Sequence, residues 1–402
     1  MMQKFKVLSS LPPEIRRTSV IYSLLQFFYY FNFFWLIQNI FFLESGIDYK
    51  QLSIVLGVWS VSIVLLEIPS GILADKFGRK VVVIAGKLAF LAGLLCFFLF
   101  QNFTGFVIGM LFWGIHDAFL SGALEALIYD DLKEKQQQNY FQKVLSLATS
   151  SREIGLGVGV LIAGFVADAN MVLVMFSSVV SATIAVYFAL LLPRASSSQA
   201  SSEQELLAFD VLKLVKKIAT HTHLRTIALF SLTTVIAYTL VSEFALITLK
   251  ELGLSFTIIG IFAFFEMLSF LIGVQYAEKK PVTVLVYQKL TFAMLGGILL
   301  MITHSLSIVV IALLFMRIIH AYGEIAVNTD WQHGIESKYR ATTTSILSFA
   351  KNIWYVPVAY SFGVLADNTT VFDAFWLPAL LSFGYIVISG LLVKSKKSSK
   401  YQ

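Results

Sequence analysis

The chain has 402 residues, 57% of them hydrophobic and 13% charged, with a mean hydropathy of +0.79. A soluble domain carries about 25% charged residues, so this composition excludes one and points to a chain mostly in lipid. The net charge of +6 does not mark a nucleic-acid partner, because the basic residues collect between apolar runs, and a single cysteine, Cys96, excludes a disulfide frame.

Apolar runs divided by charged or turn-rich breaks predict twelve spans of about the ~20 residues that cross a bilayer core. The first six lie at about 20–43, 51–73, 81–100, 103–129, 144–166 and 171–192. The second six lie at about 226–249, 256–276, 284–303, 306–328, 341–365 and 372–393. Lys4, Lys6, Arg16 and Arg17 precede a first run too long for a signal peptide. Basic residues crowd one set of loops, while the other set holds only Lys50 and Lys250. By the positive-inside rule, both termini are expected in the cytoplasm.

Span one offers Gln26, Tyr30, Asn32, Gln38 and Asn39 among many aromatics. Amides and phenols without fixed charge suit a pocket for a sizeable, partly apolar solute. Glu67 and Pro69 come near the end of span two, where the reading favours a structural carboxylate and a kink. Then comes Gly71-Ile-Leu-Ala-Asp75-Lys76-Phe-Gly78-Arg79-Lys80. Gly71 permits close helix contact, and Gly78 permits a positive φ.

Span four holds His116, Asp117 and Glu125 beside a small-residue stripe of Gly114, Ala118 and Gly122. If the helix is continuous, Asp117 and Glu125 reach the same side. Asp130 and Asp131 are expected to be solvated at the boundary. Span five carries Arg152 and Glu153 near its start and Gly155, Gly157, Gly159 and Gly164 beyond them. The Ser-rich stretch 193–205 reads as a linker. After it, Leu207, Val211, Leu214 and Ile218 recur at helical spacing, with Lys213, Lys216 and Lys217 off that face. This predicts an interfacial helix against anionic headgroups. His221 and His223 are placed in the same linker, as surface residues.

The expected division is therefore 1–193, a six-span bundle; 194–225, a linker with an amphipathic helix; and 226–402, a second six-span bundle. Span seven offers Thr234, Tyr238, Ser242 and Glu243. In span ten, Arg317, His320, Glu324 and Asn328 stand at i, i+3, i+7 and i+11, one face of a helix. Ionisable groups inside a membrane are costly and by default face a cavity or a partner. Lys351 and Asn352 begin span eleven, where Lys351 serves as a gate ion or snorkels to the interface. Gly164-Phe-Val-Ala-Asp168 ends span five, and Gly363-Val-Leu-Ala-Asp367 ends span eleven 199 positions later. Arg152 falls on Lys351 at that offset, so the two halves read as a duplication. Ala277-Glu278-Lys279 after span eight is a weaker echo of Ala74-Asp75-Lys76.

The loop after span two resembles the major facilitator superfamily. Its signature, Gly-x-x-x-Asp-[Arg/Lys]-x-Gly-[Arg/Lys]-[Arg/Lys], is filled by Gly71, Asp75, Lys76, Gly78, Arg79 and Lys80. The resemblance implies an all-α integral membrane fold of twelve transmembrane helices in two pseudo-symmetric six-helix bundles. It also implies that spans one, four, seven and ten are central, and that the signature residues act in a cytoplasmic gate with Arg152 and Lys351. There Asp75 meets the start of span eleven, with Arg79 holding its carboxylate. The glycine-rich span five resembles the drug–proton antiporter branch, although it lacks that branch's Gly-Pro pair. Met110 stands where related antiporters carry an arginine four residues before Gly114; Arg317 fits that pattern better.

The expected function is secondary transport of a small organic solute by alternating access, coupled to H+ and directed outward. A uniporter or importer of a metabolite or siderophore-like compound, or a non-transporting receptor, are the alternatives. His116, Asp117, Glu125, Arg317, His320, Glu324 and Asn328 are the coupling candidates. Gln26, Tyr30, Asn32, Asn39, Tyr238 and Glu243 are the solute-cavity candidates. No phosphate loop, zinc-ligand spacing or nucleophile elbow is present, so no cofactor and no enzyme activity are expected. The expected partners are the bilayer, the solute and the proton, with the protein acting as a monomer in the cell membrane.

Overall fold

The computed structural model describes residues 11–194, 208–277, 283–335 and 339–398, which are helical almost throughout. The Ser-rich linker, Leu207, most of Ala277-Glu278-Lys279 and several terminal lysines lie outside the described residues. The helices are α1 Pro13–Tyr30, α2 Phe34–Glu44, α3 Tyr49–Phe77, α4 Arg79–Leu99, α5 Phe103–Leu120 and α6 Ala123–Glu134. Next come α7 Phe141–Ala169, α8 Met171–Leu191, α9 Ala208–Thr220, α10 Thr222–Phe230 and α11 Ile236–Glu251. The chain ends with α12 Phe256–Ala277, α13 Val284–Met301, α14 Leu306–His333, α15 Arg340–Asn368, the short α16 Val371–Ala374 and α17 Trp376–Ser398.

Eleven segments among the described residues are long and apolar enough to cross a membrane. The expectation was twelve. The remaining candidate, α15, has 29 residues but carries Lys351, Asn352 and three successive threonines. Large apolar side chains face outward along the spans, with Ile68 leaving 76% and Phe292 67% of their surface exposed. In water such a surface would aggregate; in lipid it is the solvated face. The chain is a multi-pass membrane protein.

Four expected spans are interrupted, span twelve only near its start, where Phe375 parts α16 from α17. Span one breaks at residues 31–33 between α1 and α2, with no proline or glycine there. The Phe34 amide donates to Asn32 Oδ1 at 3.0 Å and Ser178 Oγ at 2.9 Å, so polar side chains satisfy the freed backbone. Gly155 and Gly159 of α7 lie on this break: a Cβ on Gly155 would strike the Phe27 carbonyl, and Gly159 faces the Phe31 backbone. Gly155 and Gly159 of span five therefore serve backbone-to-backbone packing. Span four breaks between α5 and α6, where Gly122 takes φ +74°. Span seven relaxes into a π-helical turn at Ser231–Val235 between α10 and α11.

The chain folds as two compact units. The first comprises Met1–Ile47, Val55–Glu203 and Ser255–Phe264; the second comprises Asp48–Ile54, Gln204–Leu254 and Phe265–Gln402. The first turns of α3 thus belong with the second unit, and those of α12 with the first.

A matching pair of clasps explains this exchange. In the first unit, Asp168 at the end of α7 accepts the Phe256 and Thr257 amides of α12, each at 2.8 Å. In the second, Asp367 at the end of α15 accepts the Tyr49 and Lys50 amides of α3, each at 2.9 Å. The first amides of a helix have no internal partner, and its positive dipole end favours a carboxylate. One turn before each aspartate a glycine lets the helices touch, Gly164 against Gly260 and Gly363 against the Tyr49 carbonyl. The repeated Gly-x-x-x-Asp sequence is a repeated helix-to-helix joint.

Two buried charge clusters as the candidate functional site

The first cluster lies in the first unit, on α1, α3, α4 and α5. Asp117 Oδ2 accepts the Trp59 indole N–H at 2.7 Å, and Oδ1 lies 3.9 Å from His116 Nε2. His116 is sealed, and its Nδ1 lies 2.9 Å from the Gly86 carbonyl, which can only accept. Nδ1 therefore carries the proton, and the Nε2 lone pair points toward Asp117 while the ring is neutral. Tyr29 and Phe90 pack on the imidazole with ring centroids 4.9 and 5.1 Å away. Behind Tyr29, Lys87 of α4 is 1% exposed, its Nζ 3.3 Å from the Tyr29 ring centroid. The Asp117 side chain, by contrast, is 37% exposed, so the cluster has an open acid end and a closed cationic end.

The second cluster lies in the second unit, on α11, α12 and α14. Arg317 donates to the Tyr238 hydroxyl at 3.5 Å and stacks over Phe270 at 4.7 Å. The Tyr238 hydroxyl in turn donates to Glu266 Oε1 at 3.3 Å. His320 stacks on Tyr238 with centroids 4.1 Å apart, and its Nδ1 is buried with no hydrogen-bond partner among the described residues. Glu324 and Asn328 follow on the same face of α14 and are exposed. Lys351 lies within electrostatic reach of Glu324 and His320. The stripe on span ten thus divides: Arg317 and His320 are enclosed by Tyr238, and Glu324 and Asn328 are open.

Among the polar members of these clusters, Lys87, Trp59, Glu266 and Tyr29 escaped the sequence reading. Two had a signal. Glu266 is the only charged residue in α12, and Lys87 is the only one in α4 after its first turn. The cost that flagged span ten applies equally to a solitary charge in an apolar run. Trp59 had none, because its indole N–H is recognisable only from what it touches.

Other expected residues go elsewhere. Glu125 is exposed on α6, because the left-handed turn at Gly122 ends the helical register that would align it with Asp117. Gly122 is likewise exposed at that turn, while Gly114 does pack closely, against Ser62. Asp130 and Asp131, expected to be solvated, are 6% and 3% exposed. Asp130 holds Arg79, which also donates to the Ala126 carbonyl, and Asp131 pairs with Lys135 at 2.7 Å. Arg79 is therefore committed to Asp130 and not to Asp75, which is exposed and has no hydrogen bond or ion pair among the described residues. Gly71 has nothing within 4 Å and makes no close contact, whereas Gly78 takes φ +87° as its position requires. Lys76 is exposed, and Lys80 donates to the Leu192 carbonyl. His223 belongs to α10, 3.6 Å from Asp330, and not to a linker.

Around span one, Arg152 pairs with its neighbour Glu153 at 2.7 Å and lies over the Tyr30 ring at 5.4 Å. Gln26 lies beside Tyr22, and Gln38 donates to Asn39 at 3.1 Å. Asn32 is buried at the helix break, where its Oδ1 accepts the Phe34 amide. Glu243 lies within electrostatic reach of the buried Tyr355.

These charges lie within helices long and apolar enough to cross a membrane. The sequence matches the Major Facilitator Superfamily over residues 20–359, and the chain belongs to that family. It is 32% identical over 82 residues to an uncharacterized transporter of Buchnera aphidicola and 24% identical over 123 residues to an uncharacterized MFS-type transporter of Methanocaldococcus jannaschii. Those matches span 20% and 31% of the relatives' own lengths. Among solved structures, the nucleoside transporter NupG superposes with a TM-score of 0.73 at 12% identity, over 95% of this chain and 99% of that one. A D-xylose-proton symporter gives 0.68 at 12% identity, over 94% and 96%. At such identities the likeness is one of fold alone.

Proposed function

We propose that the protein is a secondary active transporter that moves a small organic solute by alternating access, driven by protons and directed outward. The observation that carries this is the pair of charge–aromatic clusters, one in each unit, set within apolar spans where a purely structural bundle gains nothing from charge. Asp117 is the proton carrier of this reading, because it is the acid with one open side and a histidine beside it. Glu266 and His320, gathered on Tyr238, are the second coupling group, and Arg317 supplies a fixed positive charge that never titrates. Gln26, Tyr30 and Asn39 are the polar groups offered to the solute. In this reading α15 is the twelfth span and both termini lie in the cytoplasm of a monomer in the cell membrane. Placement in the drug–proton antiporter branch rests on the glycine-rich α7.

The test is transport by the purified protein in liposomes with a trapped pH indicator, screened against a panel of organic solutes. The expected result is solute-dependent proton flux that Asp117→Asn abolishes and Glu266→Gln reduces at least tenfold. Full proton-coupled flux in Asp117→Asn would remove the carrier. Solute flux indifferent to a collapsed pH gradient would make the protein a uniporter.

A further inference from the structure

An arginine inside a membrane span is normally offset by an anion, because the hydrocarbon offers it no water. Two arginines of the first unit follow that rule: Arg79 holds Asp130, and Arg152 holds Glu153. Arg317, half-buried on α14, does not. Among the described residues it makes no ion pair, and its one hydrogen bond runs from Nη1 to the Tyr238 hydroxyl at 3.5 Å. That is long for an N–H···O bond, whose usual range is about 2.7–3.2 Å. The acid beside it, Glu266, is bonded to the same hydroxyl at 3.3 Å and does not meet the guanidinium. Glu324 is exposed two turns further along α14, too far to pair with it.

The unused donors have a definite shape. A guanidinium holds five N–H groups in one rigid plane, with Nε and Nη2 side by side along one edge. Tyr238 takes Nη1, so that edge is unclaimed, and Nε is buried with no hydrogen-bond partner among the described residues. Phe270 of α12 lies against the face of the guanidinium, which holds its plane and uses none of its N–H groups. One turn along α14, His320 stacks on Tyr238, and its Nδ1 is likewise buried without a partner. Buried polar nitrogens with no partner are rare in folded proteins, and here two of them adjoin one tyrosine.

The group that matches an Nε–Nη2 edge is a carboxylate, whose two oxygens take two parallel charge-assisted hydrogen bonds. An amine has no acceptor there and is repelled by the fixed charge. We propose that the solute is an organic anion, and that its carboxylate pairs with the Nε–Nη2 edge of Arg317, beside His320 and the Tyr238 hydroxyl. This rests on the alternating-access reading above, since Nε is covered in this conformation and is reached only as the site opens.

The experiment is thermal unfolding of the purified full-length protein in detergent with three matched probes: 2-naphthoate, 2-naphthylmethylamine and 2-naphthalenemethanol. They share one ring system and differ in charge, and a ligand of the folded state raises the melting temperature by mass action. The expected result is a saturable rise with the carboxylate, at least tenfold tighter than with the amine or the alcohol. Arg317→Lys keeps the charge but lacks the fork, and should weaken carboxylate binding at least tenfold. Arg317→Gln is measured alongside, so that poor folding of one variant does not decide the outcome. Tighter binding of the amine or the alcohol, or carboxylate binding unchanged in both variants, would overturn the anion assignment and leave the transporter reading standing. Binding of none of the three also overturns it, and proton-coupled flux across the wider solute panel then decides separately whether the transporter reading fails with it.

Discussion

The two units assemble the same ingredients in opposite ways. Each has a cation, a carboxylate and a histidine gathered on one tyrosine or beside it, centred on the helix that enters fourth in its half. In the first unit that helix, α5, supplies the acid and the histidine, and the cation comes from α4. In the second, α14 supplies the cation and the histidine, and the acid comes from α12. The bonding differs accordingly. Arg317 and Glu266 share the Tyr238 hydroxyl, whereas Lys87 and Asp117 share no hydrogen bond. A guanidinium stays charged at any physiological pH. The difference is one of bonding: the second unit holds its cation and acid through a shared hydroxyl, and the first leaves its cation and acid without a common hydrogen bond.

The sharpest way to break this comparison is to remove the cation from each side. Arg317→Met takes the guanidinium from the Tyr238 hydroxyl and leaves the half-buried Glu266 without its nearby cation, at an expected cost of about 3 kcal/mol, the upper end for a lost hydrogen bond to a charged group. Arg317→Met with Glu266→Gln should recover most of that loss. Lys87→Met should cost less, because no hydrogen bond is broken. Thermal unfolding of the detergent-solubilised variants measures all three, and equal losses in the two units would erase the distinction drawn here.

Next come the glycines of the two joints. Gly164→Leu and Gly363→Leu each force a side chain against neighbouring backbone, at a cost of about 1–3 kcal/mol. Gly296→Leu, where nothing lies within 4 Å, should leave the melting temperature unchanged.

Smaller again are the clasps themselves. Asp168→Asn and Asp367→Asn each keep the shape but lose the charge facing a helix start, about 0.5–2 kcal/mol apiece. Equal effects would show the two joints to be equivalent; a large inequality would show that one joint bears most of the strain. The smallest effect belongs to the contact of His223 with Asp330. His223→Ala at the half-exposed partner of Asp330 should cost at most about 1 kcal/mol. Asp330 keeps the Tyr287 hydroxyl at 3.1 Å in that variant, which limits the loss.

Much of this protein is legible without coordinates. Length and hydropathy alone dictate the helices, because a chain in lipid must satisfy its own backbone. The positive φ at Gly78 and the recurrence of Gly-x-x-x-Asp are local signals, and both are met in the structure. The polar stripe on α14 was legible too, since one unbroken helix keeps the register from Arg317 to Asn328. What failed did so where the register is broken or the partner is distant. The turn at Gly122 parted Glu125 from Asp117, and Asp130, not Asp75, took Arg79. No periodicity reveals that Asn32 and Ser178 sustain a break in span one, or that Lys87 lies on Tyr29. Burial in lipid is a property of each segment and is written in composition. Which buried charge meets which partner is decided only when separate helices are packed side by side, because the energy of a desolvated charge depends on its nearest few ångströms.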